Sequence, residues 1–268
     1  MLRLLVIGAA GRMGQAVVRA ALERADLRIS GGITTPGNPH LGRDLGELAG
    51  VGTLGVSATD DLSAGLMECD VAVDFSSPTV TATHLAGCVA TGKPLVIGTT
   101  GLSADTYREL ERTARHIALL VAPNTSMGLT LLLEISRQCA RALPLQFDAE
   151  ILDSHHRDKR DAPSGTALAL GEAIAEARGV EFDRHAAQGH HPAAVRRQGD
   201  IGFASLRGGD VVGEHTVIFA GNGEQLVLGH RVTDRVVFAR GALEAAAWLA
   251  TRPPGRYTMR DVLFKSGA

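Results

Sequence analysis

Leu2-Arg3-Leu4-Leu5-Val6-Ile7 runs directly into Gly8-Ala9-Ala10-Gly11-Arg12-Met13-Gly14, and this opening stretch decides the fold class. A continuous apolar run with one charge, Arg3, suits a strand buried on both faces of a parallel sheet. The glycines stand at positions 1, 4 and 7 of the loop. That matches the dinucleotide fingerprint at its outer glycines, with the middle one a position late. A helix follows from about Met13 to Arg24. Glycine lets the chain turn and lets a pyrophosphate approach the backbone, and the helix start adds N–H donors and a partial positive charge. The bland alternative is a tight turn with no ligand. A glycine loop set between a clear strand and a clear helix favours the nucleotide.

Working outward, Leu27 to Ile33 reads as the second strand. NAD-binding folds usually end it in an acidic residue, about 20 residues after the loop. Here that place holds Thr34-Thr35, with no carboxylate to repel a 2′-phosphate. Thr35 to Val56 reads as a long polar loop, and Asp60 to Met67 as a short helix capped by Asp60 or Asp61. Val71 to Phe75 is a third strand. Ser76-Ser77-Pro78 leads into a helix to about Ala90, with Pro78 in its first turn. Pro94 to Ile97 ends in Gly98-Thr99-Thr100-Gly101, a helix runs from Ser103 to about His116, and Ile117 to Val121 ends in Ala122-Pro123-Asn124-Thr125. Strand and helix alternate, which implies a parallel sheet. Small polar residues close three strands where an open sheet binds its ligand.

After Ser126 the rhythm changes. Leu129 to Leu143 reads as a helix, Phe147 to Leu152 as a strand and Ser164 to Ala177 as a helix. Val180 to Asp200 reads as a long loop containing His185, His190 and His191. Strand-like runs at 201–207, 211–220 and 225–232 are separated by Gly208-Gly209-Asp210 and by Gly221-Asn222-Gly223-Glu224. Short turns between successive strands predict an antiparallel sheet. The fold class is therefore α/β, a Rossmann-type domain joined to a second α+β domain with a largely antiparallel or mixed sheet. Between strand and helix in that second part stands His155-His156-Arg157-Asp158-Lys159, then Pro163-Ser164-Gly165-Thr166. A histidine exchanges a proton near neutral pH. A lysine binds an anion or gives a proton, and a helix start holds a carboxylate or phosphate.

The totals narrow the function classes. At 268 residues the chain can bury a full core. A net charge near −2 gives no support for non-specific nucleic-acid binding, so a small-molecule partner is expected. Cys69, Cys88 and Cys139 are far apart and odd in number, which fits buried reduced thiols and neither a disulfide framework nor a metal site. No signal peptide is visible and no apolar run reaches membrane-spanning length, so a soluble cytoplasmic protein without a membrane partner is expected.

These pieces together resemble the 4-hydroxy-tetrahydrodipicolinate reductase family, also called dihydrodipicolinate reductase. The resemblance spans nearly the whole chain. It includes the glycine loop, Val96 to Gly101, His155 through Lys159, Asp161 to Ala167, Val212-Gly213-Glu214-His215-Thr216 and Met259-Arg260-Asp261-Val262-Leu263. It implies an NAD(P)H-dependent oxidoreductase of the diaminopimelate and lysine pathway, acting on a small cyclic dicarboxylate, and a homotetramer whose second domains pair their sheets. It also implies that 236–268 rejoins 1–126 as the dinucleotide-binding domain, leaving 127–235 for substrate binding and oligomerisation.

Residue by residue, Gly8, Ala9, Ala10, Gly11, Arg12 and Met13 would cradle the pyrophosphate, with Thr34 and Thr35 at the adenosine ribose. Gly98, Thr99 and Thr100, with Ala122, Pro123, Asn124 and Thr125, would flank the ribose and nicotinamide. His155 would be the proton donor or acceptor and Lys159 a proton donor. His156, Ser164, Gly165 and Thr166 would bind substrate, and no metal is called for. The family often carries an acidic residue at Thr34 and a basic one at Thr35, and commonly an aromatic at Thr125. The first departure leads to an expectation that NADPH and NADH both work, with a preference for NADPH. Two alternatives from other classes are a catalytically silent nucleotide-binding sensor and an aspartate dehydrogenase of similar shape.

Overall fold

A computed structural model of the chain describes residues 1–188 and 195–265. It divides into two compact units, Met1–Met127 with the C-terminal segment from Val236, and Gly128–Arg235.

In the first unit the elements are β1 (Leu2–Ile7), α1 (Arg12–Ala21), β2 (Leu27–Ile33), α2 (Leu45–Ala49), β3 (Ala58–Thr59), α3 (Leu62–Met67), β4 (Val71–Asp74), α4 (Thr81–Thr91), β5 (Leu95–Ile97), α5 (Ala104–Thr113) and β6 (Ala118–Val121). Then α6 (Met127–Ala142), β7 (Asp148–His155), α7 (Gly165–Arg178), α8 (Phe182–His185), β8 (Ala186–Gln188), β9 (Ile201–Arg207), β10 (Gly213–Gly221) and β11 (Glu224–Val232) carry the chain through the second unit. The helix α9 (Val236–Leu249), β12 (Gly255–Tyr257) and α10 (Met259–Phe264) belong to the first.

The first sheet has seven strands in the order β12-β6-β5-β4-β1-β2-β3, and every pairing is parallel. Side chains alternate across a strand, so a strand covered on both faces must be apolar at every position. β1 shows this: Leu4 and Val6 join one core layer with α1 and α9, while Leu5 and Ile7 join the other with α3, α4 and α5. The terminal helix α9 thus fills the face that α1 begins, through Ala239, Leu243, Ala246 and Leu249. β1 lies between β2 and β4, so the chain leaves it in opposite directions. That is the switch point at which such sheets bind ligands.

The second sheet has the order β11-β10-β7-β9-β8. β10 pairs antiparallel with both β11 and β7, whereas β9 pairs parallel with β7 and with β8. The sheet is mixed, as the fold class allows. The turn at 208–210 does not join hairpin neighbours, however, because β7 lies between β9 and β10. The Gly208 N–H donates to His155 O at 3.0 Å and the Arg157 N–H to Gly209 O at 3.3 Å, so this turn is folded across the end of β7. One face of the sheet packs under α6 and α7 through Ile151, Phe203, Val217 and Phe219 against Leu132, Leu170 and Ile174.

Several local expectations change. The stretch read as a loop over 35–56 contains α2, organised by one carboxylate. Asp44 accepts from the N–H groups of Gly46 (2.8 Å), Glu47 (3.2 Å), Leu54 (2.9 Å), Gly55 (2.7 Å) and Val56 (3.1 Å). Asp61, not Asp60, caps α3. Pro78 precedes α4 in a turn closed by Val80 N–H on Ser77 O at 3.2 Å, so the helix starts only at Thr81. β7 continues past Leu152 to His155. The segment 180–200 contains α8, ending in His185, and β8, while His190 and His191 lie outside the described residues. Cys69 and Cys88 are buried thiols and Cys139 is half-buried, and none is in a disulfide.

The packing of α9 supplies a stability test. A Cβ on Gly241 would come within 1.8 Å of Thr125 O. Gly241→Ala forces α9 away from the end of β6 and is expected to destabilise the protein by about 1–3 kcal/mol. The exposed Met67→Ala should stay within about 0.5 kcal/mol of the natural chain. Chemical denaturation midpoints of the two variants check the contrast.

Candidate functional site

The face of β7 that is apolar at Ala149 and Ile151 turns polar at Asp153 and His155, and all four are buried. Register fixes their neighbours. Asp153 stands opposite His215 on β10 and opposite Ser205 on β9, and His155 stands opposite Arg207. Directly opposed residues of adjacent strands share a face. Five polar side chains therefore gather at one end of the sheet.

A carboxylate that is 1 % exposed needs partners. Ser205 Oγ donates to Asp153 Oδ1. Arg207 Nη2 donates to Oδ2 at 3.2 Å, and the Ser164 N–H donates to the same oxygen at 3.3 Å. Burial pushes the Asp153 carboxyl up, but Ser205, the Arg207 charge, Ser164 and His155 outweigh it and hold it below the usual carboxylate range. His155 Nδ1 lies 3.1 Å from Asp153 Oδ2, off the line of an aligned hydrogen bond. His215 meets the His155 ring edge-on, with centroids 5.1 Å apart, and its Nε2 is 3.1 Å from Ser164 Oγ. Asp153, His155 and His215 are close enough to ligate an ion. The carboxylate, however, already faces a guanidinium, which opposes a second cation there.

The helix α7 starts from this cluster. Ser164 caps it, accepting from the Ala167 N–H at 3.2 Å, and Gly165 and Thr166 form its first turn, exposed and half-buried respectively. The preceding loop is anchored by Arg207, whose Nη2 donates to Asp161 O at 2.6 Å. Lys159 Nζ donates to both carboxylate oxygens of Asp161 at 2.8 Å each. That ammonium holds the Asp161 carboxyl below its usual range against burial, with help from the Gly165 N–H. Burial, and then the Lys159 charge, push His155 down, while Asp153 pushes it up. His156 is half-buried, and its carbonyl accepts from the Lys159 N–H at 3.1 Å. His155, Ser164, Lys159 and the start of α7 thus come together, joined by Asp153, Ser205, Arg207 and His215, to which sequence reasoning gave no role.

In the first unit the loop after β1 is shaped by close approach. Gly8 has φ +83°, and a Cβ there would lie 2.6 Å from Phe75 O. A Cβ on Gly14 would lie 2.3 Å from Gly8 O, so α1 can pack this tightly only with glycine. Gly11 caps α1 with no side-chain hydrogen bond, and the first turn carries no acidic residue. A helix start of this kind suits an anion. Ala9 and Ala10 lie in this loop, with Arg12 exposed and Met13 half-buried beyond it. Thr34 is buried and Thr35 exposed, so Thr35 presents the more open hydroxyl.

Gly98, Thr99 and Thr100 follow β5. Thr99 Oγ1 donates to Asp74 O at 3.3 Å and is as close to Asp74 Oδ1. That buried carboxylate also accepts from the Ser76 N–H at 2.8 Å and lies 2.8 Å from His84 Nδ1. The Asp74–His84 pair was not legible in the sequence, where the two residues share no local period. After β6, Ala122 is buried, Pro123 exposed, and Asn124 accepts from the Ser126 N–H at 2.9 Å. Thr125 is engaged in the fold itself, its hydroxyl donating to Phe238 O at 2.6 Å.

Comparison with known proteins identifies the family. Residues 2–125 match the family described as dihydrodipicolinate reductase, N-terminus, and residues 128–263 its C-terminus. A 4-hydroxy-tetrahydrodipicolinate reductase of Rubrobacter xylanophilus is 47 % identical over 266 residues, covering 99 % of this chain and 100 % of the relative. One of Anaeromyxobacter dehalogenans is 45 % identical over 269 residues, covering 98 % of each. Among solved structures, dipicolinate-bound dihydrodipicolinate reductase from Paenisporosarcina sp. TG-14 has a similar fold, with TM-score 0.78, 23 % identity, and 96 % of this chain and 97 % of that one covered.

The cluster carries a pH signature. Burial, followed by the neighbouring His155, pushes His215 down to about 4. The unfolded chain takes up a proton near the ordinary histidine pKa of about 6.5, where the folded chain does not. The stability from His215 is therefore fully present above about pH 6.5 and is lost as pH falls toward 4, by about 3 kcal/mol in all. His215→Gln should flatten the decline between pH 7 and pH 4, read from denaturant unfolding at several pH values. A decline as steep as in the natural chain would remove His215 as its source.

Proposed function

The chain belongs to the dihydrodipicolinate reductase family, and we propose that it reduces 4-hydroxy-tetrahydrodipicolinate to tetrahydrodipicolinate with a nicotinamide coenzyme, in diaminopimelate and lysine biosynthesis. Replacing a ring hydroxyl by hydrogen takes one hydride and one proton and releases water. The reduced nicotinamide supplies the hydride. The glycine loop and the α1 start fit its pyrophosphate, since added Cβ atoms at Gly8 and Gly14 would strike backbone. The catalytically silent sensor and the aspartate dehydrogenase are not favoured by the full-length matches.

The observation that carries the site reading is a carboxylate already in place. Lys159 and the Gly165 N–H hold the Asp161 side chain, and His155 stands close enough to feel the Lys159 charge. We read the same donors, with Ser164, Thr166 and His156, as the seat of a substrate carboxylate. His155 and Lys159 handle the proton. Two substrate carboxylates add negative charge beside both groups and favour their protonated forms. Replacing either group should cut turnover by about 10²-fold or more. Steady-state kinetics of His155→Gln and Lys159→Ala test this, with coenzyme affinity retained in both. Near-normal turnover in both would sink the assignment. Thr166→Val should raise the Michaelis constant for the substrate alone.

For the coenzyme, the absence of a carboxylate at Thr34 and Thr35 deprives NADH of a charge-assisted hydrogen bond and leaves a 2′-phosphate unopposed. Both coenzymes serve, with NADPH preferred. The exposed Arg12 is the cation placed to favour it, so Arg12→Ala should weaken NADPH more than NADH. Dissociation constants from nucleotide fluorescence check the order, and an equal loss for both would remove Arg12 from the discrimination.

A homotetramer is supported by the sheet face of the second unit opposite α6 and α7. Leu152, Ile218 and the exposed Leu206 and Val227 lie on it among Glu150, Ser154 and Thr216, and exposed apolar side chains on a sheet face suit a second sheet. Three unpaired cysteines suit the reducing cytoplasm.

A further inference from the structure

A group that exchanges a proton works only if its ring is held in one orientation and one tautomer. Resting on the reading of His155 as the proton-handling group, we propose that Asp153 is its positioning residue: the buried carboxylate fixes the His155 imidazole with Nδ1 inward and ties it to the start of α7.

The argument begins with the strand. Residues two apart on β7 share a face, so Asp153 lies beside His155 without any loop to place it. A single oxygen, Asp153 Oδ2, is 3.1 Å from His155 Nδ1, 3.3 Å from the Ser164 nitrogen and 3.2 Å from Arg207 Nη2. The other oxygen takes the Ser205 hydroxyl. Four partners around one carboxylate leave it little freedom to turn. An ionised carboxylate only accepts hydrogen bonds, so the nitrogen facing it must carry the hydrogen. Nδ1 then points inward as N–H, and Nε2 is the nitrogen left to exchange a proton. Nε2 is the ring edge toward Gly213, where an added Cβ would stand only 3.3 Å from it, a close approach. Nδ1 approaches Oδ2 off the line of an aligned hydrogen bond, so charge as well as hydrogen bonding orients the ring.

Charge gives the carboxylate a second task. Three cationic or potentially cationic groups face His155: Lys159 from the loop, Arg207 from β9 and His215 from β10, itself faced by His230 on β11. Asp153 is the anion set among them. Without it, the ring would shed its proton at lower pH.

The test reads the ring directly and uses the full chain. Imidazole nitrogen NMR of the free protein, with His155 assigned by its loss in His155→Gln, should show Nδ1–H in the neutral form. Finding Nε2–H there overturns the proposal before any variant is made. In Asp153→Asn the His155 titration should move to lower pH by about one unit, the order of effect an adjacent opposite charge has, and Asp153→Glu should return part of the shift. An unmoved titration in folded Asp153→Asn also overturns it. Kinetics separate the underlying reading. If His155→Gln keeps its turnover while the NMR shifts stand, the catalytic assignment fails and the positioning holds. If His155→Gln is inactive and Asp153→Asn keeps both turnover and titration, the positioning fails alone. When both hold, the alkaline limb of the turnover profile moves to lower pH in Asp153→Asn with coenzyme affinity unchanged.

Discussion

A carboxylate shut away from water is the constraint on which the second unit depends. Asp153 is 1 % exposed, and an isolated buried anion would be strongly destabilising. It stays ionised because three elements converge on it: β9 sends Ser205 and Arg207, α7 sends the Ser164 N–H, and β7 itself adds His155 two residues on. Two of the partners have a further duty. Arg207 also holds the loop at Asp161 O, and Ser164 also caps α7 and meets His215. Loss of the carboxylate would therefore disturb strand, loop and helix together. Breaking one side of a buried charged network typically costs about 3–5 kcal/mol.

The first unit solves a different problem, how to start a helix hard against the end of a strand. It does so by omission. With no Cβ at Gly8 or Gly14, α1 starts against the end of β1, and with no side-chain cap on Gly11 the first turn keeps its donors clear of competing side chains. Beside it, at the end of β4, Asp74 is wholly buried and stabilised by Ser76, Thr99 and His84. The Thr99 hydroxyl is thereby directed at Asp74. This is a second buried acid that organises a strand end.

What could be read in advance followed distance along the chain. Gly8 to Gly14, the strand–helix alternation and the start of α7 at Ser164 rest on local period and local turn chemistry, and they were legible. The order of the second sheet was not. Gly208-Gly209-Asp210 looks like a hairpin turn, yet β9 pairs with β7, because strand pairing is settled by which apolar faces meet, not by the length of the connection. The same non-local register hid Ser205 and Arg207, some fifty residues from the carboxylate they hold. Asp153 was nearer to hand. Ending the strand at Leu152 made it a loop residue. Continuing the alternation from Ala149 and Ile151 through His155 would have set it on the same buried face.

The two histidines at this site show how one environment separates two roles. Their rings touch edge-on, so a proton on one opposes a proton on the other. His215 is the more deeply set, stands opposite Asp153 across the sheet, and is pushed down to about 4. It stays neutral throughout the physiological range and hydrogen-bonds Ser164. His155 is pushed down as well, by burial and by Lys159, but Asp153 opposes the shift. With His215 neutral, His155 escapes repulsion from a second imidazolium. Like-charged neighbours cannot both ionise cheaply, and sites that do acid–base work commonly split such a pair by surroundings. On the proposed reading of His155, the split leaves structure to the ring that meets Ser164 and proton transfer to the ring beside Asp153.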